Sequence, residues 1–235
     1  MKYNRVLLKL SGESLQGNGD QGIAPDRLQH YVTEISALAR EGVEIAIVLG
    51  GGNIFRGMKA SADGLDRVTG DYMGMLATII NSLALQSALT KAGHKVALLS
   101  GLAIPSLCEA MSGLAAIEKM ESKHIVIIAG GTGNPFFTTD TAGALRAVEI
   151  KADALLKGTR VDGVYSANPE KDKNAVRYEH LSFREAYEKE LAIMDLTAFT
   201  LCEENQMPVV VFDVNTPGNL LLVCKGEACG TLIHV

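Results

Sequence analysis

Short apolar runs alternate along the chain with longer stretches in which apolar residues recur every three or four positions. Most of the short runs, such as IVIIA and VVVF, are apolar at nearly every position, which is typical of parallel strands buried on both faces. The pattern predicts strands over residues 5–10, 44–49, 95–99, 124–129, 154–156, 208–213 and 231–235.

The stretches between these strands predict helices and one hairpin. Pro25 begins the first helix and Gly42 follows its end, as proline and glycine commonly do. The hairpin is predicted over residues 161–168, with its turn at Asp162 and Gly163. Helices are predicted over residues 25–40, within 66–91, and over 107–121, 142–152, 182–188, 195–205 (with Asp195 as N-cap) and 216–223.

Alternating strands and helices predict an α/β fold in which a mostly parallel sheet lies between two layers of helices. No proline- or glycine-rich linker, repeat or low-complexity segment interrupts the 235 residues. We therefore expect a single three-layer αβα domain. Residues 1–152 and 153–235 are expected to be two lobes of this one sheet.

Three glycine-containing loops directly follow predicted strands: Ser11-Gly12, GGGN at residues 50–53 and GGTGNPFFTTDT at residues 130–141. Right-handed crossovers bring the ends of parallel strands to one edge of the sheet, where open α/β sheets bind ligands. Backbone N–H groups of glycine loops approach anions closely, so the three loops favour an extended phosphorylated ligand. Ordinary tight turns, with a Thr or Asp N-cap in the third loop, are the alternative interpretation.

Two common nucleotide-binding motifs are absent from the sequence, which excludes some classes of nucleotide-binding protein. No G-x-x-x-x-G-K-[ST] sequence occurs, so the chain is not a P-loop protein, and no G-x-G-x-x-G follows the first strand, which disfavours a dinucleotide site. The net charge is -5, tryptophan is absent and no run of lysine and arginine occurs. We therefore expect no direct nucleic-acid partner.

The sequence also favours a cytoplasmic location. The first residues lack the long apolar region of a signal peptide. The most apolar helix, residues 73–89, is short for a membrane span and contains Asn81, Ser82 and Gln86, so no membrane association is expected. No C-x-x-C pair occurs among the four cysteines, which we expect to be reduced thiols rather than part of a metal site.

Five segments together resemble the bacterial UMP kinases, which have the amino-acid-kinase fold and are unrelated to P-loop kinases. The segments are KLSGE (9–13), GGGNIFRG (50–57), GDYMGMLAT (70–78), TGNPFFTTDTA (132–142) and DALLKGTRVDGVYSANP (153–169). The first two also fit the wider superfamily, whereas the third and fourth are far more specific. The resemblance covers residues 5–233. It implies γ-phosphoryl transfer from MgATP to UMP, giving UDP and ADP in UTP and CTP biosynthesis.

The resemblance implies four catalytic residues. Lys9, at the end of the first strand, would bridge the β and γ phosphates of ATP, and Arg56 would neutralise phosphate charge between donor and acceptor. Lys157 is a second cation at a predicted strand end. Asp140 would orient Lys9 or help to hold the Mg²⁺ that accompanies ATP, and no protein ligand of the metal is assigned. The attacking phosphate oxygen of UMP is already anionic, so no general base is required.

The resemblance also implies two sets of binding residues. Asn168 keeps an acceptor but lacks the charge of the aspartate that many family members have there. Asp71 is expected to open the long helix and to accept hydrogen bonds from the UMP ribose, with a simple N-cap as the alternative. The residues implied for ATP are Lys9, Leu10, Ser11, Gly12, Gly52, Arg56, Thr159, Tyr165 and Asn168. Those implied for UMP are Gly51, Asp71, Thr132, Gly133, Asn134, Pro135, Phe136, Phe137, Thr138 and Thr139.

Regulation and assembly are implied as well. Many bacterial members are homohexamers that GTP activates and UTP inhibits, and the wide apolar face of residues 71–91 suits an oligomer interface. Gln86 and Thr90 stand where basic groups would be expected if this helix held a GTP triphosphate. A loop linked to the allosteric response of the family aligns with Gly17, Asn18, Gly19, Asp20, Gln21 and Gly22.

Two other functions stay open. A carboxylate or carbamate kinase would share the fold, but the segments GDYMGMLAT and FFTTD count against it. A non-catalytic regulator that senses nucleotides would not need Lys9, Arg56 and Asp140. An assay of ADP release from ATP with each nucleoside monophosphate separates these functions.

Overall fold

A computed structural model describes residues 1–17, 22–55, 64–169 and 171–235. Within these ranges, nine strands form one sheet in which every neighbouring pair is parallel except the eighth and ninth strands. The strands are β1 (Arg5–Leu10), β2 (Glu44–Leu49), β3 (Val96–Ser100), β4 (Glu109–Ala110), β5 (Ile125–Ala129), β6 (Ala154–Thr159), β7 (His180–Ser182), β8 (Val209–Asp213) and β9 (Gly230–His234). Their order across the sheet is β4-β3-β5-β2-β1-β6-β8-β9-β7.

Helices cover both faces of the sheet. Those in the described ranges are α1 (Pro25–Arg40), α2 (Arg67–Lys91), α3 (Gly113–Glu121), α4 (Thr139–Glu149), α5 (Phe183–Glu188), α6 (Leu196–Glu204) and α7 (Asn219–Lys225), with a 3-10 helix at Gly12–Leu15. Apolar residues of α1, α2 and α7 form one core, and those of α3, α4, α5 and α6 form the other. The predicted three-layer α/β fold is therefore confirmed.

Successive residues of β1 enter opposite cores because strand side chains alternate between the two faces. Val6, Leu8 and Leu10 lie in the core beneath α1, α2 and α7, whereas Leu7 lies in the core beneath α4. Both cores exclude water from β1, which explains why its sequence is apolar at nearly every position. Lys9 shares the face of Leu7 and so points towards α4.

Many predicted elements agree with the structure. β1, α1 and β2 have the predicted bounds, and Ser182 and Asp195 are the N-caps of α5 and α6. β7 is a three-residue strand that the sequence did not predict. Lys157 lies inside β6 rather than at its end, since the strand continues to Thr159.

The helix predicted over residues 107–121 is wrong in its first half. Residues Glu109–Ala110 instead form β4, which pairs with β3 at the edge of the sheet. The helix begins only at Gly113, after Ser112 caps it by accepting a 3.1 Å hydrogen bond from Ala115 N. Pairing of residues 109–110 with the edge of β3 therefore replaced the helix that the local sequence favours.

Two other predictions are also wrong. The hairpin predicted over residues 161–168 does not form, because Tyr165 bridges to Arg177 and Val164 N donates to Thr231 Oγ1 at 2.8 Å. α7 begins at Asn219, three residues later than predicted, after Gly218 in a left-handed conformation. Gly218 N donates a 2.8 Å hydrogen bond to Glu34 Oε1, so in both places a contact with a distant residue accompanies the departure from the local prediction.

α2 is long and apolar enough to cross a membrane, judged by length and composition alone. Core helices of globular proteins pass the same test. Ile79, Leu85 and Leu89 of α2 lie in the core beneath the sheet, and Asn81 and Ser82 have no exposed surface. These contacts make α2 a core helix of the fold.

Candidate active site

Lys9 and Lys157 stand side by side on adjacent strands. β1 and β6 are parallel and Lys9 is the register partner of Lys157, so the two side chains lie on the same face of the sheet. Asp140, in the first turn of α4, lies between them: Lys9 Nζ is 2.6 Å from Asp140 Oδ1, and Lys157 Nζ is 2.5 Å from Asp140 Oδ2. Lys157 Nζ also donates a 2.6 Å hydrogen bond to Ile193 O. We call Lys9, Asp140 and Lys157 the lysine–aspartate cluster.

The cluster is largely withdrawn from water. Only 12%, 13% and 18% of the side-chain surfaces of Lys9, Lys157 and Asp140 are exposed. Burial acts to raise the pKa of Asp140, but the ammonium groups of Lys9 and Lys157 outweigh it and hold that pKa below its ordinary value. Burial lowers the pKa of Lys157, and the attraction of Asp140 opposes this shift. With all three groups ionised the cluster carries one net positive charge, which suits an anionic ligand.

The first two glycine loops pack against each other beside this cluster. A Cβ atom on Gly12 would lie 2.5 Å from Gly50 O, so the close approach requires glycine. Gly50 N donates a 2.9 Å hydrogen bond to Leu10 O. Ser11 precedes the 3-10 helix that begins at Gly12. The structure thus brings the residues predicted to hold ATP phosphates, including Gly52, to the adjacent ends of β1 and β2.

The third glycine loop, residues 130–138, follows β5 and has an unusual backbone. Gly130, Gly131 and Gly133 have φ angles of 70°, 57° and 82°, and Phe136 has a φ of 72°. Such angles favour glycine and strain a residue that carries a Cβ. This loop, which we call the acceptor loop, contains most of the residues predicted to bind UMP.

Side chains from α2 and α4 hold the acceptor loop from below. Thr78 Oγ1 accepts a 2.9 Å hydrogen bond from Gly130 N. Arg146, only 7% exposed, donates to Gly131 O at 3.3 Å and to Thr132 O at 3.4 Å. The sequence analysis missed both residues, because their contacts lie far apart along the chain.

Asp71 does not open the long helix, so the predicted helix start and the N-cap alternative are wrong, whereas its contact with the UMP ribose stays a prediction. Asp66 is the N-cap of α2 and accepts a 2.9 Å hydrogen bond from Thr69 N. Asp71 lies in the second turn, where its carboxylate accepts 2.7 Å and 2.9 Å hydrogen bonds from Phe136 N and Arg67 Nε. Asp71 therefore connects α2 to the acceptor loop.

Thr138 caps α4 and is itself held by Asp195. The Thr138 hydroxyl accepts hydrogen bonds from Asp140 N at 3.0 Å and Thr141 N at 3.2 Å. It donates to Asp195 at 2.5 Å, and the hydroxyl of Thr141 donates to the same carboxylate at 2.9 Å. Asp195, predicted only as a cap, caps α6 through Ala198 N and also fixes the start of α4.

A cavity of about 570 Å³ opens beyond β6, on the side of the lysine–aspartate cluster away from the acceptor loop. Lys157, Thr159, Tyr165 and Asn168 all line it, so the structure groups the residues predicted for the ATP side after β6. Tyr165 Oη donates a 2.6 Å hydrogen bond to Asp162 Oδ1, and this bond raises the pKa of Tyr165. Because β1 lies between β2 and β6, Lys9 stands between this cavity and the acceptor loop.

Some predicted residues fall outside the described ranges. Arg56 is one of them, and so are residues 18–21 of the predicted regulatory loop. Gly17 and Gly22, which flank that segment, are described. Gly22 N donates a 3.0 Å hydrogen bond to Asn53 O, which ties one side of this loop to the second glycine loop.

The donor groups at the site match a magnesium ion that comes with a nucleotide. Mg²⁺ keeps several waters and is usually held by one or two carboxylates together with substrate phosphates. The described part of the chain contains no group of three or more histidine, cysteine, aspartate or glutamate residues arranged around a metal site. Asp140 and Asp195 are carboxylates whose charge acts on Lys157, and Asp140 already pairs with the ammonium groups of both lysines.

A mostly parallel sheet with two lysines around one carboxylate, flanked by glycine loops, defines an α/β protein built to hold phosphate groups. The chain belongs to the amino acid kinase family, whose profile matches residues 4–213.

Curated relatives are similar over almost the whole chain. A uridylate kinase of Bacteroides thetaiotaomicron is 54% identical over 99% of both chains. One of Porphyromonas gingivalis is 54% identical over 98% of this chain and 97% of its own. Among solved structures, a UMP kinase from Bacillus anthracis is 38% identical, with a TM-score of 0.97 over 100% of this chain and 97% of its own. A uridylate kinase from Archaeoglobus fulgidus reaches a TM-score of 0.75 at 31% identity, over 97% of this chain and 99% of its own.

Proposed function

We propose that the protein is a UMP kinase that transfers the γ-phosphoryl group of MgATP to UMP, giving UDP and ADP for UTP and CTP biosynthesis. The lysine–aspartate cluster, placed between the cavity beyond β6 and the acceptor loop, carries the proposal. Relatives with this activity in their names, more than half identical over nearly the whole chain, support UMP as the acceptor.

Lys9 and Lys157 stabilise the transferring phosphoryl group in this proposal. Phosphoryl transfer depends on positioning and on neutralising charge at the phosphate oxygens. Asp140 holds both ammonium groups in place before substrate binds, so the charges need little rearrangement in the transition state. Lys9 would contact the β and γ phosphates, and Arg56 is proposed to act between donor and acceptor.

The substrates occupy opposite sides of the cluster. ATP would enter the cavity at Thr159, Tyr165 and Asn168 and place its phosphates against the loops at Gly12 and Gly52. UMP would lie against the acceptor loop, with its ribose at Asp71. Residues 153–235 thus form the ATP-binding lobe and residues 1–152 the acceptor-binding lobe.

Mg²⁺ would enter with ATP and be held mainly by its phosphates. When bound, it supplies neutralising charge to the phosphate oxygens. Asp140 is proposed chiefly to orient the lysines. The attacking oxygen belongs to a phosphate that is anionic near neutral pH, so the chain needs no general base.

The protein is further proposed to be a cytoplasmic homohexamer, with GTP as an activating and UTP as an inhibiting effector. Met73, Leu76 and Ile80 on one face of α2 are 40%, 46% and 51% exposed, which supports an interface there. The effectors are supported only by the resemblance of the loop at residues 17–22 to the family.

The test is ADP release from MgATP with UMP, CMP, GMP, AMP, carbamate and acetylglutamate as acceptors. UMP should be the preferred acceptor by a wide margin in kcat/KM. Turnover with carbamate or acetylglutamate would instead identify a carboxylate or carbamate kinase. Nucleotide binding without any turnover would identify a regulator and contradict the proposal.

A further inference from the structure

Two asparagines form a buried amide pair that the proposed mechanism does not use. Asn81 in α2 is 0% exposed and Asn53, the last residue of the second glycine loop, is 1% exposed. Asn81 Nδ2 donates to Asn53 Oδ1 at 2.7 Å, and Asn53 Nδ2 donates to Asn81 Oδ1 at 3.0 Å. The pair is therefore reciprocal, with each side chain acting as donor and acceptor.

The remaining contacts of the pair lead to the loops around the phosphate site. Asn81 Nδ2 also donates to Gly50 O at 2.7 Å, and Asn53 Nδ2 donates to Gly22 O at 2.7 Å. Asn53 Oδ1 lies 2.6 Å from the position that a Cβ atom on Gly12 would take. One pair of amides thus touches the first glycine loop, the second glycine loop and Gly22, the last residue of the predicted regulatory loop.

Burying two amides in an apolar core costs desolvation free energy, which their hydrogen bonds must offset. Although the hydrogen bonds of the pair are made, replacing both partners by apolar side chains of the same shape can be nearly neutral in stability, so folding alone does not require the amides. Ser82, the next residue of α2, is equally buried, but its hydroxyl donates to Thr78 O within the same helix at 2.7 Å. The contacts of Asn81, unlike those of Ser82, leave the helix and fix another part of the chain.

We propose that Asn81 and Asn53 are positioning residues for phosphoryl transfer. By holding Gly50 and packing against Gly12, they set the distance between the first and second glycine loops, against which the proposed function places the ATP phosphates. This inference rests on the proposed function. Both side chains are buried, so they act through the backbone of these loops.

The test compares Asn81→Leu, which keeps the side-chain size but removes the amide, with Ser82→Ala as a matched buried control in the same helix. Asn81→Leu should lower kcat at least tenfold and raise KM for MgATP, because misplacement by about 1 Å can cost about 100-fold in rate. The dissociation constant of UMP, measured by calorimetry, should rise by a smaller factor than KM for MgATP, because Thr78 and Asp71 still hold the acceptor loop, which contains most of the residues predicted to bind UMP. Ser82→Ala should keep kcat and both KM values within twofold.

Hydrogen–deuterium exchange gives a readout that is independent of turnover. Asn81→Leu should speed exchange at the amides of Gly22 and Gly50 and leave the amide of Gly130 unchanged.

If Asn81→Leu does not fold, Asn81→Ser and Asn53→Ala serve in its place, and thermal unfolding identifies which variants are native. Together Asn53→Ala and Asn81→Leu should cost no more in kcat than the larger single effect.

Lower thermal stability with kcat and KM for MgATP within twofold of wild type would overturn the inference and leave the pair a purely structural feature. Equal effects of Asn81→Leu and Ser82→Ala would also overturn it. If wild-type protein phosphorylates no acceptor, the proposed function fails. In that case, MgATP binding and the exchange at Gly22 and Gly50 still decide whether the pair positions the loops.

Discussion

Lys9 and Lys157 are neighbours in register but differ in their contacts. The ammonium group of Lys157 donates to both Asp140 and Ile193 O. Within the described ranges, the ammonium group of Lys9 instead forms an ion pair with Asp140. Lys9 therefore keeps more of its hydrogen-bonding capacity for phosphate.

Lys9→Ala should lower kcat by about 10³ or more, as expected for a cation that stabilises the transferring group. Calorimetry should show that UMP binding survives.

Lys119→Ala is a suitable control for this substitution. Lys119 pairs with Glu109 at 2.8 Å on the surface, far from the cluster in the fold, and kcat should remain within twofold. A Lys9→Ala protein with near-normal kcat would remove Lys9 from the mechanism.

The ion pairs of Asp140 make the free energy of unfolding depend on pH in the acid range. Its folded-state pKa is lowered, so its contribution to stability is fully present above its unfolded pKa and is lost as pH falls through the lower folded pKa. Asp140→Asn leaves two buried ammonium groups without a counter-charge and should cost about 3–5 kcal/mol at pH 7. Urea unfolding should show that this difference is constant from about pH 5 to 7 and narrows below about pH 4, because Asp140 of the unfolded chain takes up a proton there while Asp140 of the folded chain is still ionised. Parallel stability curves down to about pH 2.5 would contradict the assignment.

At the scale of a single element, the acceptor loop should decide which base is accepted. It offers hydroxyl and backbone groups, and Thr78, Asp71 and Arg146 fix its shape. Uracil presents an N3–H donor and an O4 acceptor, and cytosine reverses both. Two mismatched buried groups cost about 1–3 kcal/mol each, so CMP should lose about 30-fold to 10⁴-fold in kcat/KM. The comparison uses saturating MgATP, and a CMP value within tenfold of UMP would show that the loop does not read the base.

At the scale of the whole molecule, the exposed apolar face of α2 should lie between subunits. Light scattering on the wild type should give a hexamer. Ile80→Glu, which places a charge on that face, should dissociate it into smaller species. Leu196→Glu is the matched control, because Leu196 is 62% exposed on α6, away from that face, and this variant should stay hexameric. A wild-type monomer at micromolar concentration would rule out the assembly.

The sequence alone determined the features that depend on neighbours along the chain. β1, α1 and β2 have the predicted bounds because apolar runs, Pro25 and Gly42 act locally. The resemblance of five segments to the UMP kinases pointed to Lys9, Lys157 and Asp140, and the glycine loops after the predicted strands indicated at which edge of the sheet a ligand would bind. Where local signals competed with pairing to distant strands, as at β4 and in the hairpin predicted over residues 161–168, sequence analysis was wrong.

Only the tertiary structure decided how these residues meet. Strand register placed Lys9 beside Lys157, and packing of α4 on that face put Asp140 between them. The links from Asp195 to Thr138 and from Asn81 to Asn53 join residues 57 and 28 positions apart. Such contacts depend on how helices pack across the sheet, and no local propensity or periodicity encodes them. The polar residue Asn81 in an apolar helix was visible in the sequence, but its partner was not.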